Sequence, residues 1–336
     1  MTIIKGLLTA ITSVVLVGAA ALYYLLQPSG SINDFSQWFA PQQKTTPSSE
    51  TLTVKFFGVS TLLFDDGKSQ ILIDGFFSRP SLSQVAFQKL SSNEALIDQL
   101  IQTEQLKRLD AILVTHSHYD HTLDIAALGR KLSQAKIIGS SSTLNIAQGG
   151  QVRPKQLQLA QAFQSFQLGQ YKITPIPSQH TPPTAVNNDL GEDIDQPLTQ
   201  PARFFEFKEG GSFDYLIEHQ GTQILVKAST GAIPEQFKNL DIDILFLGVA
   251  QLAKQTPEFQ NQYLAETIDQ LNPNQIIPIH WDNFFKPLTQ PLELLPNIAD
   301  QAPKSLQLVI QHAESQNRKI TILNTASTYR LKKSSD

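Results

Sequence analysis

The sequence predicts an α/β chain in which two β-sheets pack together with helices outside, behind one amino-terminal hydrophobic helix. Three observations carry this. Short β-rich runs alternate with helix-period segments in two successive sets from Thr51 onward, with no repeat at a solenoid period. With 336 residues and 41% hydrophobic content the chain can bury a sizeable core. The densest group of chemistry-bearing residues, Thr115-His116-Ser117-His118-Tyr119-Asp120-His121, directly follows the apolar run Ala111-Ile112-Leu113-Val114, so a strand delivers it into a turn.

Gly6 to Leu26 carries no charge and follows Lys5. At roughly 1.5 Å per residue it reaches about 30 Å, the thickness of a bilayer's hydrocarbon core. It is longer than the roughly 7–15 residues of a signal-peptide core. Residues 1–27 are therefore expected to form an uncleaved anchor or transmembrane segment, with residues 6–26 in the membrane. Lys5 favours a cytoplasmic amino terminus and an exported, periplasmic or extracellular body. Cleavage after Ser31 is the alternative, and it would give a secreted protein. Residues 28–50, rich in Ser, Pro, Gln and Thr, read as a flexible linker, and 51–336 as one catalytic domain.

In the body, Thr53–Phe57, Thr61–Phe64 and Gln70–Asp74 read as strands, with Asp65-Asp66-Gly67 as a turn between the second and third. Gly75–Pro80 is a loop, and Ser81–Leu109 has helical spacing broken and capped at Ser91-Ser92-Asn93. After the His cluster come a helix (Leu123–Leu132), a strand (Ala135–Gly139), a short helix (Ser141–Ala147) and strands near Gln158–Ala160, Ser165–Gln167 and Tyr171–Ile176. The last of these leads to His180. Thr181–Gln200 lacks periodicity and holds several prolines and acids, as a cover or substrate-contact loop would. Phe213–Glu218 and Gln223–Lys227 form a hairpin, followed by a loop at Ala228-Ser229-Thr230-Gly231 and a strand at Ile242–Leu247. A helix (Pro257–Leu271), a strand (Gln275–Ile279) ending at His280, a helix (Ala302–Ser315) and closing strands at Lys319–Leu323 and Thr328–Leu331 complete the chain.

The net charge of -4 and the lack of a basic run argue against a nucleic-acid partner. The absence of cysteine excludes disulfides, thiol nucleophiles and thiolate metal sites. Any metal chemistry must use His, Asp, Glu or Tyr. The i, i+2 spacing lets His116 and His118 face one cation, while Asp120 and His121 lie further round the turn and can face a second. Neutral imidazole and carboxylate suit zinc, with manganese or iron as alternatives.

His-x-His-x-Asp-His after a strand resembles the signature of the metallo-β-lactamase superfamily. Phe57-Gly58-Val59-Ser60-Thr61, Ile71–Asp74, Asp110–His121, His180, Ile242–Gly248 and Pro278-Ile279-His280-Trp281 also occur in the expected order. The resemblance implies a four-layered αββα sandwich with a dinuclear site at one edge. It implies His116, His118 and His180 around one metal and Asp120, His121 and His280 around the other. The ending at His280-Trp281 is most similar to the branch containing sugar-phosphate lactonases and N-acylphosphatidylethanolamine-cleaving phospholipases. One departure stands out: where the family places a bridging Asp, this chain has Ser229, whose hydroxyl brings no charge. The second ion should then bind more weakly, or the pair be held chiefly by a bridging hydroxide, unless a loop carboxylate such as Asp189 or Glu192 substitutes.

The expected activity is a metal-dependent hydrolase that uses metal-activated hydroxide on an ester, lactone or phosphodiester bond of a small-molecule or lipid-derived substrate, with Asp120 catalytic. The alternative is a metal- or ligand-binding protein of the same fold with catalysis reduced by Ser229. Asp74 and Asp110, at strand ends, are candidate partners that orient ligand imidazoles. Trp281 and Phe284 are candidates for an apolar substrate wall, and His219 and His312 read as solvated.

Overall fold

The computed structural model describes residues 2–41, 51–184, 188–324 and 327–331, and the side chains of all of these except 2–10. The first sheet is built from β1 (Thr53–Phe56), β2 (Leu62–Asp65), β3 (Gln70–Ile73), β4 (Leu109–Leu113), β5 (Lys136–Gly139) and β6 (Leu157–Leu159). The second uses β7 (Phe166–Leu168), β8 (Tyr171–Ser178), β9 (Ser212–His219), β10 (Thr222–Lys227), β11 (Ile244–Gly248), β12 (Gln275–Ile279) and β13 (Lys319–Ile320). Strand β14 (Thr328–Arg330) then returns to the first sheet beside β1. The orders are β14-β1-β2-β3-β4-β5-β6 and β13-β12-β11-β10-β9-β8-β7. Each sheet is thus an antiparallel meander that turns parallel, and the two sets read from the sequence each make one sheet, with β14 the exception.

Strand β4 shows why its sequence is a continuous apolar run. Ala111 and Leu113 face the layer between the sheets, while Ile112 and Val114 face the helices outside. A strand buried on both faces has no polar alternation to display. Phe64 of β2 meets Phe246 of β11 edge to face at 5.6 Å and joins the sheets.

Helix α1 (Thr2–Leu26) precedes the sandwich, and α2 (Leu82–Phe87), α3 (Glu94–Thr103), α4 (Tyr119–Thr122), α5 (Ile125–Lys131) and α6 (Ser141–Gly149) belong to the first half. The expected break at 91–93 separates α2 from α3, and Asn93 caps α3 by accepting from the Leu96 amide at 3.2 Å. Helices α7 (Pro257–Leu264) and α8 (Ala302–Ser315) pack on the second sheet, with Leu306, Val309 and Ile310 of α8 in its core.

Two expectations about the amino terminus are overturned. Among the described residues no helix is long and apolar enough to cross a membrane. The side chains of 6–10, which complete the expected run, lie outside the described residues. The anchor, and with it the exported or secreted location, is therefore not sustained. The carboxyl end of α1 is instead tied to the body: the amides of Asn297 and Ile298 donate to the carbonyls of Gln27 (3.0 Å) and Leu25 (2.8 Å).

The linker reading of 28–50 also changes. Ile32–Trp38 forms a 3-10 helix with a capping box at Ser31, and Ile32 and Phe35 are buried in the core. Phe39 pairs with Ile322. Apolar residues spaced among the Ser and Gln make this stretch a docked strap; 42–50 lies outside the described residues.

At the edge where β12 ends, the fully buried ion pair of Arg79 and Asp282 holds the β1–β2 loop, and Asp282 Oδ1 also accepts from the Val59 amide at 2.6 Å. Gly58 sits against this pair with φ +88, where an added Cβ would come within 2.4 Å of Asp282 Oδ2. Asp282→Ala leaves the Arg79 charge buried without its partner, so it should lower stability by about 3–5 kcal/mol. Urea denaturation checks this, and a loss under about 1 kcal/mol would show that Arg79 finds other compensation.

Candidate metal centre

The His cluster is shaped by its backbone. From Thr115 to Ser117 the backbone is held by one neighbouring segment, 209–213. The Phe213 amide donates to Thr115 O (2.7 Å) and the Ser117 amide to Glu209 O (2.9 Å). Ser117 turns away, its hydroxyl 2.9 Å from that of Thr143, so His116 and His118 share the opposite side. His118 then caps the single turn α4, which carries Asp120 and His121 round toward a second position.

Strand ends supply the rest. His180 lies just beyond β8, Ser229 beyond β10 and His280 beyond β12. β8 and β10 both run antiparallel to β9, and β11 and β12 are parallel to β10, so these ends share one edge of the second sheet. The His280 amide donates to Val59 O at 2.7 Å, which ties that edge to the β1–β2 loop. Val59, Asp74 and His280 all have φ in the left-handed region, at 52°, 54° and 63°. Such strain in non-glycine residues, β-branched Val59 above all, gathers where a site over-determines the backbone.

Ligand-type atoms of His116, His118 and His180 lie within 4.8 Å of one another, and so do those of Asp120, His121 and His280. The two groups adjoin, with the His116 and His121 ring centroids 3.8 Å apart. Among the described residues, Nε2 of His116 and Nε2 of His121 are buried without a hydrogen-bond partner. Each such atom costs about 1–3 kcal/mol if left unsatisfied, and cations held by the two groups would take up ring nitrogens turned inward. The donor set therefore fits one or two divalent metals.

The charge states agree with this fit. Burial, then the neighbouring His121, His180 and His118, hold His116 well below the ordinary imidazole range. Burial and His118 bring His180 down to about 3. Burial would raise the Asp120 carboxyl, but His121 and His280 outweigh it and hold it far below the usual carboxylate range. Burial would lower His280, but Asp120 outweighs it, and the pKa is raised. Neutral His116 and His180 and an ionised Asp120 are the forms that ligate metal, whereas Asp120 favours a protonated His280, a proton that a bound cation would displace.

The beta-lactamase superfamily domain matches residues 69–281 of the chain. The protein belongs to the metallo-β-lactamase superfamily. Among curated relatives, a UPF0173 metal-dependent hydrolase of Pyrobaculum islandicum is 23% identical over 239 residues, 69% of this chain and 85% of that protein. Igni18, a metallo hydrolase of Ignicoccus hospitalis, superposes with TM-score 0.52 at 14% identity, covering 84% of this chain and 99% of the other. YhfI of Bacillus subtilis, a metallo-β-lactamase fold protein, gives 0.51 at 15%, covering 84% and 100%. CmlA, a diiron β-hydroxylase of Streptomyces venezuelae, gives 0.53 at 14%, covering 86% of this chain but 55% of its own. At these identities the superpositions show the shared fold.

Beside the cluster, Asp74 joins the Ser60 loop to both ends of the His stretch. Its carboxylate accepts from the Thr115 amide (2.7 Å), the Thr115 hydroxyl (2.9 Å), the Ser60 hydroxyl and His121 Nδ1 (2.7 Å). The proton is thereby kept on Nδ1, and Nε2 of His121 is presented to the site. Asp110 does not share the role: it sits near the start of β4 beside Ser69 and Asp66, at the far end of the sheet from the cluster. Trp281 is also reassigned, being fully buried against Phe56 in the sandwich core because its neighbour His280 takes the site-facing position.

Phe284 does line the site, 5.9 Å from His280. It forms one wall of a cleft of about 720 Å³ whose other apolar walls include Val85, Phe204, Phe205 and Phe285. The Phe204-Phe205 pair was missed in the sequence, although an aromatic doublet ending a site-flanking loop was a readable signal. His219 is not solvated: it is buried against Asp66 (3.1 Å) and Tyr171, because its hairpin folds against the β2–β3 turn. His312 pairs with Asp269 at 2.7 Å.

Ser229 lines the cleft and is 5% exposed. The turn holding it packs so closely on β8's exit that a Cβ on Gly231 would lie 2.1 Å from Gln179 O. Of the two loop acids weighed against it, Glu192 pairs with Lys208 (2.6 Å), and both Asp189 oxygens lie 3.1 Å from His118 Nε2.

The neutral imidazoles should make the metal-free chain acid-sensitive. Unfolded, His180 takes a proton near 6.5, while in the fold it stays neutral until about 3. Between these values the unfolded chain binds more protons, so this contribution to stability falls as the pH drops through that window. Chelator-treated protein should unfold at lower urea at pH 5 than at pH 7.5, and His180→Asn should narrow the difference. An unchanged difference would assign the acid sensitivity to other groups.

Proposed function

We propose that the protein is a metal-dependent hydrolase of ester, lactone or phosphodiester bonds, holding zinc, or manganese or iron, at His116, His118, His180, Asp120, His121 and His280. The observation that carries this reading is the pair of adjoining three-residue groups at the floor of an open cleft. When bound, a divalent cation supplies acidified water and polarises the scissile group. Asp120, ionised and 3.5 Å from His280 Nε2 and 3.7 Å from His121 Nε2, is placed to ligate and to accept a proton from an attacking water.

The cleft favours a substrate with a substantial apolar group, small-molecule or lipid-derived. Its walls are largely aromatic and aliphatic, and Lys208, the basic residue that lines it, is paired with Glu192. A substrate carrying several anionic groups finds little here to meet them, and an acyl or aryl portion finds packing. The His280-Trp281 ending supports the phospholipase-containing branch over other parts of the superfamily.

Ser229 favours a second reading, a metal- or ligand-binding protein with reduced turnover, because no carboxylate occupies the bridging position. Metal content per chain after metal-replete purification, followed by an esterase and phosphodiesterase screen, separates the two. Metal at one or two ions per chain with turnover supports the hydrolase, and a chain near zero metal overturns it. His116→Ala should lower kcat/KM by more than about 100-fold, beyond the loss expected for an outer partner, while thermal unfolding stays cooperative. A collapsed fold would make the cluster structural.

Ser229→Asp should tighten the second ion by roughly tenfold, equivalent to about 1.4 kcal/mol. Calorimetric titration with zinc checks it, and unchanged stoichiometry and affinity would remove Ser229 from the bridging position.

A further inference from the structure

The group formed by His116, His118 and His180 contains no carboxylate, and Ser229 contributes no charge to it. The structure brings one from the loop that follows β8. Both Asp189 oxygens lie 3.1 Å from His118 Nε2, and one also accepts from the Glu209 amide at 3.2 Å. The carbonyl of the same Glu209 accepts from the Ser117 amide at 2.9 Å, between the two histidines of the motif. Segment 209 therefore holds the backbone of the ligand strand and the carboxylate that meets its side chain.

The loop is itself held. The Gly210 amide donates to Glu192 O (3.0 Å), and the Ile194 amide to the Ser142 hydroxyl (2.9 Å). Asn145 Nδ2 donates to Ile194 O at 2.5 Å. Asp189 thus meets His118 from a braced segment. His180 has its own orienting contact, Nδ1 3.2 Å from Thr181 O.

We propose that Asp189 is a positioning residue for His118: it engages Nε2, turns Nδ1 toward the cation, and supplies the negative charge that the Ser229 position lacks. This rests on the metal-centre reading above. It makes His118 the histidine that ligates through Nδ1, where His121, with Nδ1 taken by Asp74, ligates through Nε2. A carboxylate behind a ligand imidazole fixes its tautomer and raises its basicity. It follows that the loop which lines the cleft also sets the metal affinity.

The test uses the full chain, stripped with chelator and titrated with Co²⁺ alone, read both by competition with a chromophoric chelator and by the visible ligand-field spectrum. Asp189→Ala should weaken cobalt binding by 10- to 100-fold and change the spectrum. Asp189→Asn, nearly isosteric and still able to accept from Nε2–H, should lose less affinity. Glu192→Gln, an acid on the same loop paired with Lys208, should bind within twofold of wild type with an unchanged spectrum. Wild-type affinity and spectrum in Asp189→Ala would overturn the role of Asp189 alone. An equal loss in Glu192→Gln would reassign the effect to loop order. A wild-type chain that takes up no cobalt would overturn the metal centre and this inference together.

Discussion

The Asp74 carboxylate is the point on which the site depends. It is fully buried, its backbone is held at φ 54°, and its donors come from two separate stretches, Ser60 and the two ends of the His cluster at Thr115 and His121. Its own amide bonds to Leu113 O and that of Gly75 to His121 O, so the end of β3 brackets both ends of the His cluster. A buried carboxylate is costly unless its oxygens are met by donors. Here the requirement to satisfy Asp74 and the requirement to aim His121 are answered by the same hydrogen bonds.

A second constraint is electrostatic. Four of the six ligand-type residues are imidazoles of the central cluster packed ring against ring, with His280 completing the second group, and most are buried. Protonating several of them at once would place like charges a few ångströms apart in a medium that screens them poorly. Burial keeps His116 and His180 neutral, the form in which an imidazole has a lone pair to offer a cation. Protein groups engage one nitrogen each of His118, His121 and His180, at Asp189, Asp74 and Thr181 O, while Nε2 of His116 and Nε2 of His121 would be satisfied by a cation; His219 is instead satisfied by Asp66 and Tyr171.

The reading of particular residues shows what a sequence makes legible. His116, His118, Asp120 and His121 could be picked out because their geometry is local: an extended pair and one helical turn set their directions within seven residues. The break before α3, the apolar β4 run and the two successive sets of strands are local patterns of the same kind. Closeness in sequence to a ligand misplaces Asp110 and Trp281. Residues six apart on an extended strand lie about 20 Å apart, and a neighbour on a strand end points to the other side. The residues at 28–41 looked like linker because their polar composition masked Ile32 and Phe35, whose partners lie near the carboxyl end of the chain.

The alternation of β-rich and helical segments, the family resemblance and the chemical identity of the ligand-type groups are legible along the chain, since they depend on residue type and short-range spacing. Which distant strand ends meet is set by the packing of the folded chain. His180, His280 and Ser229 reach the cluster through strand order and direction in the second sheet, and Asp189 through a loop braced on α6. The described part of α1 is likewise tied to the body through Asn297 and Ile298. Contacts between residues a hundred or more positions apart arise from the burial of two sheet faces against each other, and no local signal along the chain encodes them.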